Sequence, residues 1–258
     1  MSTAAANRAQ TLHLTGERTV PGVVEENYWF ARHEAAYLAL LPHCAGETVL
    51  EAGCGEGYGA ALIADTGSRV VALDYDQPTM THVARNYPRL GAVRSNLAFL
   101  PVGTAAVGVV ANLQVIEHLW DQQGFLAECH RVLRPGGKLL VTTPNRLTFT
   151  PDSPTPLNPY HTRELSPAEL AELLTDAGFA VESLHGLRHG DRLRELDARH
   201  GGSIIEAQLD VVLGSMPGQA SWPGELLADV ASVRAADFAI DGDDLDSSLD
   251  LIAVAVRP

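Results

Sequence analysis

Two short runs of this 258-residue chain hold residue types that can do chemistry. In Gln114-Val-Ile-Glu-His-Leu-Trp-Asp121, a carboxylate (Glu117) and an imidazole (His118) stand side by side just past the apolar segment Val107 to Leu113. An imidazole titrates near neutrality, so His118 can accept the proton of a hydroxyl while Glu117 orients it. The same pair would also serve as a helix cap. In the second run, Val49-Leu-Glu-Ala-Gly-Cys-Gly-Glu-Gly-Tyr-Gly59, a short apolar strand ending at Glu51 meets alternating glycines. Glycines there let a backbone turn approach a ligand closely. A second apolar segment, Val70 to Leu73, ends in Asp74, and an acid at a strand end can accept both hydroxyls of a ribose. These features predict a nucleoside-binding α/β unit.

The loop spacing narrows the ligand. A dinucleotide fingerprint reads G-x-G-x-x-G and seats a pyrophosphate on the helix N-terminus. Here the run is G-x-G-x-G, with Glu51 before the turn and Glu56 inside it. Two carboxylates repel a pyrophosphate but suit a ligand with an amino group and a sulfonium, which is the profile of S-adenosylmethionine. Glu-Ala-Gly-Cys-Gly-Glu-Gly resembles motif I of the class I S-adenosylmethionine-dependent methyltransferases, and Leu73-Asp-Tyr-Asp76 resembles their motif II.

That resemblance implies a set of cofactor contacts. Glu51 and Gly53 face the aminocarboxypropyl group, with the amides of Cys54 and Gly55 nearby. Asp74 takes the ribose, Tyr75 and Asn96 the adenine edge, and Leu97 forms an apolar wall. Gln114 lies beside the methyl donor, and Tyr28, Trp29 and Arg32 are candidates for an N-terminal lid. Several similar O-methyltransferases carry E-x-x-E-H at the position of Gln114 to His118 and bind a divalent cation there, completed by a later histidine. The resemblance thus makes Glu117, His118 and His161 both the candidate catalytic group and a candidate metal set. Gln114 in place of the first Glu removes one charge. A mixed carboxylate and imidazole set suits Mg²⁺ weakly and Mn²⁺ better.

The elements that must position these residues alternate. Strands near 47–51, 69–74, 92–95, 107–113 and 138–143 are separated by helices near 57–66, 77–87 and 121–132, which calls for a parallel sheet covered on both faces. The expected fold is α/β, a doubly wound seven-stranded sheet with a helical cap inserted before the last strand. The resemblance implies that this strand, Leu249 to Val256, lies antiparallel between the fifth and sixth. The expected organisation is an arm over 1–24, a methyltransferase core over 25–186 and 248–258, and a helical substrate cap over 187–247. A loop over 144–163 with five prolines is unusually long, and such loops are usually functional.

Composition bounds the partners. Net charge is −14 with 18 basic residues and no run of them, which disfavours nucleic acid. Three cysteines without metal-like spacing fit a reduced compartment. No apolar run approaches the length of a membrane span, so the expected setting is cytoplasmic with no membrane partner. A homodimer is compatible with the sequence.

Segments along the whole chain carry a finer likeness: Leu14 to Thr19, Glu26 to Phe30, Thr143 to Arg146, Asn158 to Leu165 and Leu196 to Ile205. Together they resemble the mycobacterial sugar 1-O-methyltransferases of methylmannose polysaccharide assembly, which cap the reducing-end hydroxyl of short 3-O-methylated mannosides. The acceptor implied is a small sugar. A quinone or lipid-like acceptor, or a non-catalytic S-adenosylmethionine-binding module, are the alternatives.

Overall fold

The computed structural model describes residues 19–153, 155–214 and 221–258. Most of the expected arm, including 14–18, lies outside the described residues. The apolar segments enter one sheet in the order β3 (Gly91–Arg94), β2 (Arg69–Asp74), β1 (Thr48–Ala52), β4 (Val107–Leu113), β5 (Leu133–Pro144), β8 (Asp250–Val256), β6 (Ala180–His189) and β7 (Phe238–Asp241). The run from β3 to β5 is parallel, and all of β4 is buried, as a central strand covered on both faces must be. β8 pairs antiparallel with β5 and with β6, in the place the resemblance implies.

Strand alternation divides the core. Val49, Val70 and Val109 face α1 (Asn27–Leu40), α2 (Tyr58–Asp65) and α3 (Gln77–Asn86) through Leu40, Ile63 and Val83. Leu50, Leu73 and Val110 face the other way, onto α4 (Gln122–Val132) and, past the single-turn α5 (Arg146–Phe149), α6 (Pro167–Asp176), through Phe125, Leu126, Leu170 and Leu174. Helix starts are set by side-chain caps: Asp76 accepts from Thr79 N at 3.1 Å, and Ser166 with Glu169 forms a capping box.

Two expectations are corrected. The sheet has eight strands among the described residues, because β6 continues to His189 and its last four residues pair with β7. The segment 187–247 is therefore not wholly helical: its own strand β7 extends the sheet edge and pairs the backbone groups at the end of β6. Its helices α7 (Asp191–Arg199), α8 (Ile204–Leu213) and α9 (Gly224–Ser232) bury Leu193, Leu196, Ile204, Leu226 and Val230 against Tyr28 and Ala31 of α1. Asn27 Nδ2 locks this packing by donating to the carbonyls of Val230 and Val233 near the end of α9, both at 2.9 Å. Among the described residues, no helix is long and apolar enough to cross a membrane.

Candidate active site

β1 ends in a turn at Gly53, where φ is 92° and an added Cβ would come within 2.6 Å of Val115. Both the conformation and the space demand glycine. The amides of Gly53 and Cys54 donate to Leu73 O at 2.9 and 2.8 Å, which ties the turn to β2. Asp74, closing β2, accepts from Gly55 N (3.1 Å) through Oδ2 and from Asp76 N (2.9 Å) through Oδ1. The acid at the strand end thus also braces the glycine loop. Burial pushes the Cys54 thiol up, so it is an inert small side chain.

Glu51 is buried, and its Oε1 accepts from Tyr37 Oη at 2.6 Å. Its Oε2 has no partner among the described residues. Burial pushes this carboxyl up to about 8, the Tyr37 bond pulls down, and the neighbouring Asp74 charge adds to the rise. Gly59, inside α2, makes the Tyr37 bond attainable, since a Cβ there would lie 2.1 Å from the phenol ring. Glu56 is engaged from α3, where His82 Nε2 (2.6 Å) and Tyr87 Oη (2.7 Å) hold its two oxygens. Glu51 therefore keeps the oxygen suited to a ligand's amino group, and the cleft fits the aminocarboxypropyl end of S-adenosylmethionine.

The remaining cofactor candidates occupy varied positions. Tyr75 is exposed at the rim beside Asp74, and Asn96 is exposed with its Oδ1 taken by Ala98 N at 3.0 Å. Leu97 is packed into the core under α4. Gln114 (φ 56°) lines the cleft with Gly53 and Thr142, its amide donating to Thr142 O at 2.9 Å.

The N-terminal candidates are corrected. Tyr28 is fully buried and hydrogen-bonded to His189 Nε2 at 2.6 Å, on the side of the 187–247 segment. Trp29 packs edge-on against Tyr28, and the Arg32 guanidinium lies over the Trp29 ring at 5.5 Å. Arg32 makes a buried bidentate pair with Asp250, both bonds 2.6 Å. Other residues of α1, His33 and Tyr37, face the glycine loop together with Thr19 and Tyr58. Burial pushes the His33 imidazole down to about 4, so it sits there neutral. No local signal singled out His33 or Tyr37.

The residues expected to carry chemistry do converge. A single helical turn after β4, Ile116–His118, presents Glu117 inward, where it is buried and its Oε2 accepts from Thr143 Oγ1 at 3.1 Å. Burial pushes Glu117 up to about 8; its hydrogen bonds pull down, and the charges of Asp250 and Glu164 add to the rise. His118 Nδ1 lies 3.0 Å from Tyr160 O and donates to it, and Nε2 lies 4.0 Å from Glu117 Oε1. His161 stands edge-on to His118, ring centroids 4.8 Å apart. Its Nδ1 donates to Glu164 Oε1 at 2.6 Å, and its Nε2 accepts from Asn158 Nδ2 at 3.1 Å. The loop is held in place by Thr162 N, which donates to Glu117 O at 2.7 Å. One ligand atom from each of Glu117, His118 and His161 can be chosen so that all lie within 4.8 Å of one another, an arrangement that can hold a cation. Glu164 was not singled out by its sequence context.

An acidic cleft and a neighbouring Glu117, His118 and His161 cluster lie at the carboxyl ends of the parallel strands, where open α/β sheets bind ligands. Residues 50–141 match the methyltransferase domain family. The chain is 60% identical, over 96% of its length and 96% of the relative's, to a protein of Mycolicibacterium smegmatis named "Probable S-adenosylmethionine-dependent methyltransferase". A Mycobacterium tuberculosis protein of the same description is 56% identical, over 96% of this chain and 90% of the relative. In fold, the chain is similar to an S-adenosylmethionine-dependent methyltransferase of Mesorhizobium loti (TM-score 0.57, 17% identity, 89% of this chain and all of that one). The chain belongs to the S-adenosylmethionine-dependent methyltransferases.

Proposed function

We propose that this methyltransferase acts on a sugar hydroxyl, and that its acceptor is the 1-OH of a short 3-O-methylated mannoside in methylmannose polysaccharide assembly. The observation that carries the oxygen chemistry is His118, whose Nδ1 is committed to Tyr160 O so that Nε2 can accept a proton beside Glu117. When bound, S-adenosylmethionine supplies an electrophilic methyl group to an in-line acceptor. Glu51, Gly53, Cys54, Gly55, Asp74 and Gln114 hold and orient the cofactor, with Tyr75 and Asn96 at the adenine rim. In one form His118 takes the acceptor proton while Glu117 and His161 orient it; in the other the three would hold a divalent cation, Mg²⁺ or Mn²⁺, which would polarise the acceptor hydroxyl in place of a protein base.

The sugar reading is supported by the chain-long likeness of Glu26–Phe30, Asn158–Leu165 and Leu196–Ile205 to the sugar 1-O-methyltransferases, and by the surroundings of His118. Trp120 and Tyr160 are exposed there, and Arg163 follows on the same loop. Aromatic faces stack on sugar rings and polar groups bind hydroxyls. An anomeric hydroxyl is more acidic than other sugar hydroxyls, so a single imidazole base suffices. A net charge of −14 favours a small neutral acceptor over nucleic acid or an anionic membrane. The loop 144–163 and the 187–247 segment supply acceptor specificity, which the shared nucleoside fold cannot. The test is a screen of reducing mannosides, with and without 3-O-methyl groups, against S-adenosylmethionine, with the product position read by NMR. Methylation at the 1-OH supports the reading. Turnover of a quinone with none of any mannoside overturns it.

A further inference from the structure

The glycine loop reaches the cofactor cleft with little regular structure to hold it. Gly53, Gly55 and Gly57 all take positive φ (92°, 51° and 101°), and glycine loses more conformational freedom than other residues when a fold fixes it. Asp74 braces the first half of the loop through Gly55 N. In the second half, the bond from Gly57 N to Cys54 O is internal to the loop, so it shapes a turn without tying it to a neighbouring element.

That tie comes from the next helix. Glu56 stands between Gly55 and Gly57, lines the cleft and is 6% exposed. His82 Nε2, on α3, donates to its Oε1 at 2.6 Å, and Tyr87 Oη, from the residue that ends α3, donates to its Oε2 at 2.7 Å. Asn86 Nδ2 donates to His82 Nδ1 at 3.0 Å, which leaves Nε2 to donate to Glu56. Burial and the bond to Glu56 push the Tyr87 phenol up, so it keeps the proton it donates. The same residues press on the loop backbone: a Cβ added at Gly57 would come within 2.9 Å of Tyr87 Cδ2 and 3.0 Å of Val83 Cγ2. Glu56 is thus turned to α3, and its effect falls on the loop that carries it.

We infer that His82 and Tyr87 are positioning residues for cofactor binding: through the two oxygens of Glu56 they hold Gly55 to Gly57 in the conformation that receives S-adenosylmethionine. The loop is then ordered before the cofactor arrives. A loop released from the clamp loses affinity, because it must order itself on binding.

The test is calorimetry of S-adenosylhomocysteine binding to the full chain, at a temperature well below each variant's melting transition. Tyr87→Phe removes one hydroxyl and keeps the ring on Gly57; it should weaken binding about tenfold, the scale of one charged hydrogen bond. His82→Leu should do the same, while His82→Gln, which keeps an amide donor near the reach of Nε2, should stay within about threefold of wild type. Because both residues act through one carboxylate, their effects should be coupled to it. On a Glu56→Ala background, itself weakened, Tyr87→Phe should change affinity by less than about twofold. A contact that merely stabilised α3 would lower the melting temperature without this pattern. Wild-type affinity in both Tyr87→Phe and His82→Leu would overturn the inference. So would a loss from Tyr87→Phe that persists at full size without Glu56, or a His82→Gln protein that binds no better than His82→Leu. If His82→Leu or Glu56→Ala fails to fold, Tyr87→Phe decides alone.

Discussion

Glu51 should make cofactor affinity depend on pH. In the ligand-free protein its carboxyl is pushed from an ordinary 4.5 up to about 8, chiefly by burial. At pH 7 a group of that pKa is about nine-tenths protonated. An ammonium against Oε2 removes the reason for the rise and returns the carboxyl toward its ordinary value, so binding releases a proton. Working the two pKa values through, affinity for S-adenosylhomocysteine should rise about 50-fold from pH 6 to pH 8. Calorimetry in two buffers of different ionisation heat should report release of about 0.9 proton per ligand at pH 7. Glu51→Gln should flatten the pH profile. An affinity constant within twofold across this range in the wild type would refute the reasoning.

The same shift has a consequence for stability, with the opposite sign. Between pH 4.5 and 8 the folded, ligand-free protein holds a proton at Glu51 that the unfolded chain has lost. Stability therefore falls as pH rises through that window, by at most about 5 kcal/mol from this group, and levels off above it. Glu117, also raised to about 8, acts in the same direction. The melting temperature without ligand should accordingly drop from pH 6 to 8.5, while the increase caused by S-adenosylhomocysteine grows.

Three further outcomes are expected. Asp74→Ala removes the brace on Gly55 N and, in the reading proposed above, the ribose acceptor, and calorimetry should show roughly tenfold to a hundredfold weaker S-adenosylhomocysteine binding, the scale of a lost charged hydrogen bond. Arg32→Met leaves Asp250 buried without its partner and should cost about 3–5 kcal/mol in denaturant unfolding, whereas the double change Arg32→Met with Asp250→Leu should recover much of it. His118→Ala should lower kcat by roughly a hundred to ten-thousandfold with cofactor affinity nearly unchanged. Loss of wild-type activity in EDTA, restored by Mg²⁺ or Mn²⁺, supports the metal form, and activity that survives EDTA but needs His118 supports the direct base.

What the sequence disclosed follows from what is local in it. The places of Glu51 and Asp74 are legible because each lies at the end of a parallel strand, and glycine spacing marks the turn between them. Glu117 and His118 follow another strand end, and the structure places them with His161. The residues that escaped notice depend on packing between distant segments. Tyr37 reaches Glu51 because α2 carries Gly59 opposite it, a pairing no window of α1 reveals. Tyr28 and Arg32 read as a lid because their aromatic and charged types suggest a surface. In the fold, Arg32 finds Asp250 across the chain and Tyr28 finds His189, so both become core. β7 is four residues long, too short to show a period, and exists because the end of β6 has a free edge to pair with.

The two raised carboxyls explain how one sheet edge serves two chemistries. Glu51 ends β1 and Glu117 follows the neighbouring β4, and each is buried and held near 8. A third acid at this edge, Asp250, is instead paired with Arg32. The difference separates structure from function: the acid matched by an arginine holds α1 to β8, while the two without a matching cation wait for charge from outside. In the function proposed above, that charge at Glu51 is the amino group of the cofactor. At Glu117 it would be either a divalent ion shared with the two imidazoles or the imidazolium that His118 becomes on taking the acceptor's proton. In the direct-base form the positive charge that develops at His118 favours the ionised form of Glu117, whose carboxyl burial otherwise holds near 8, so the two groups exchange protons as a coupled pair.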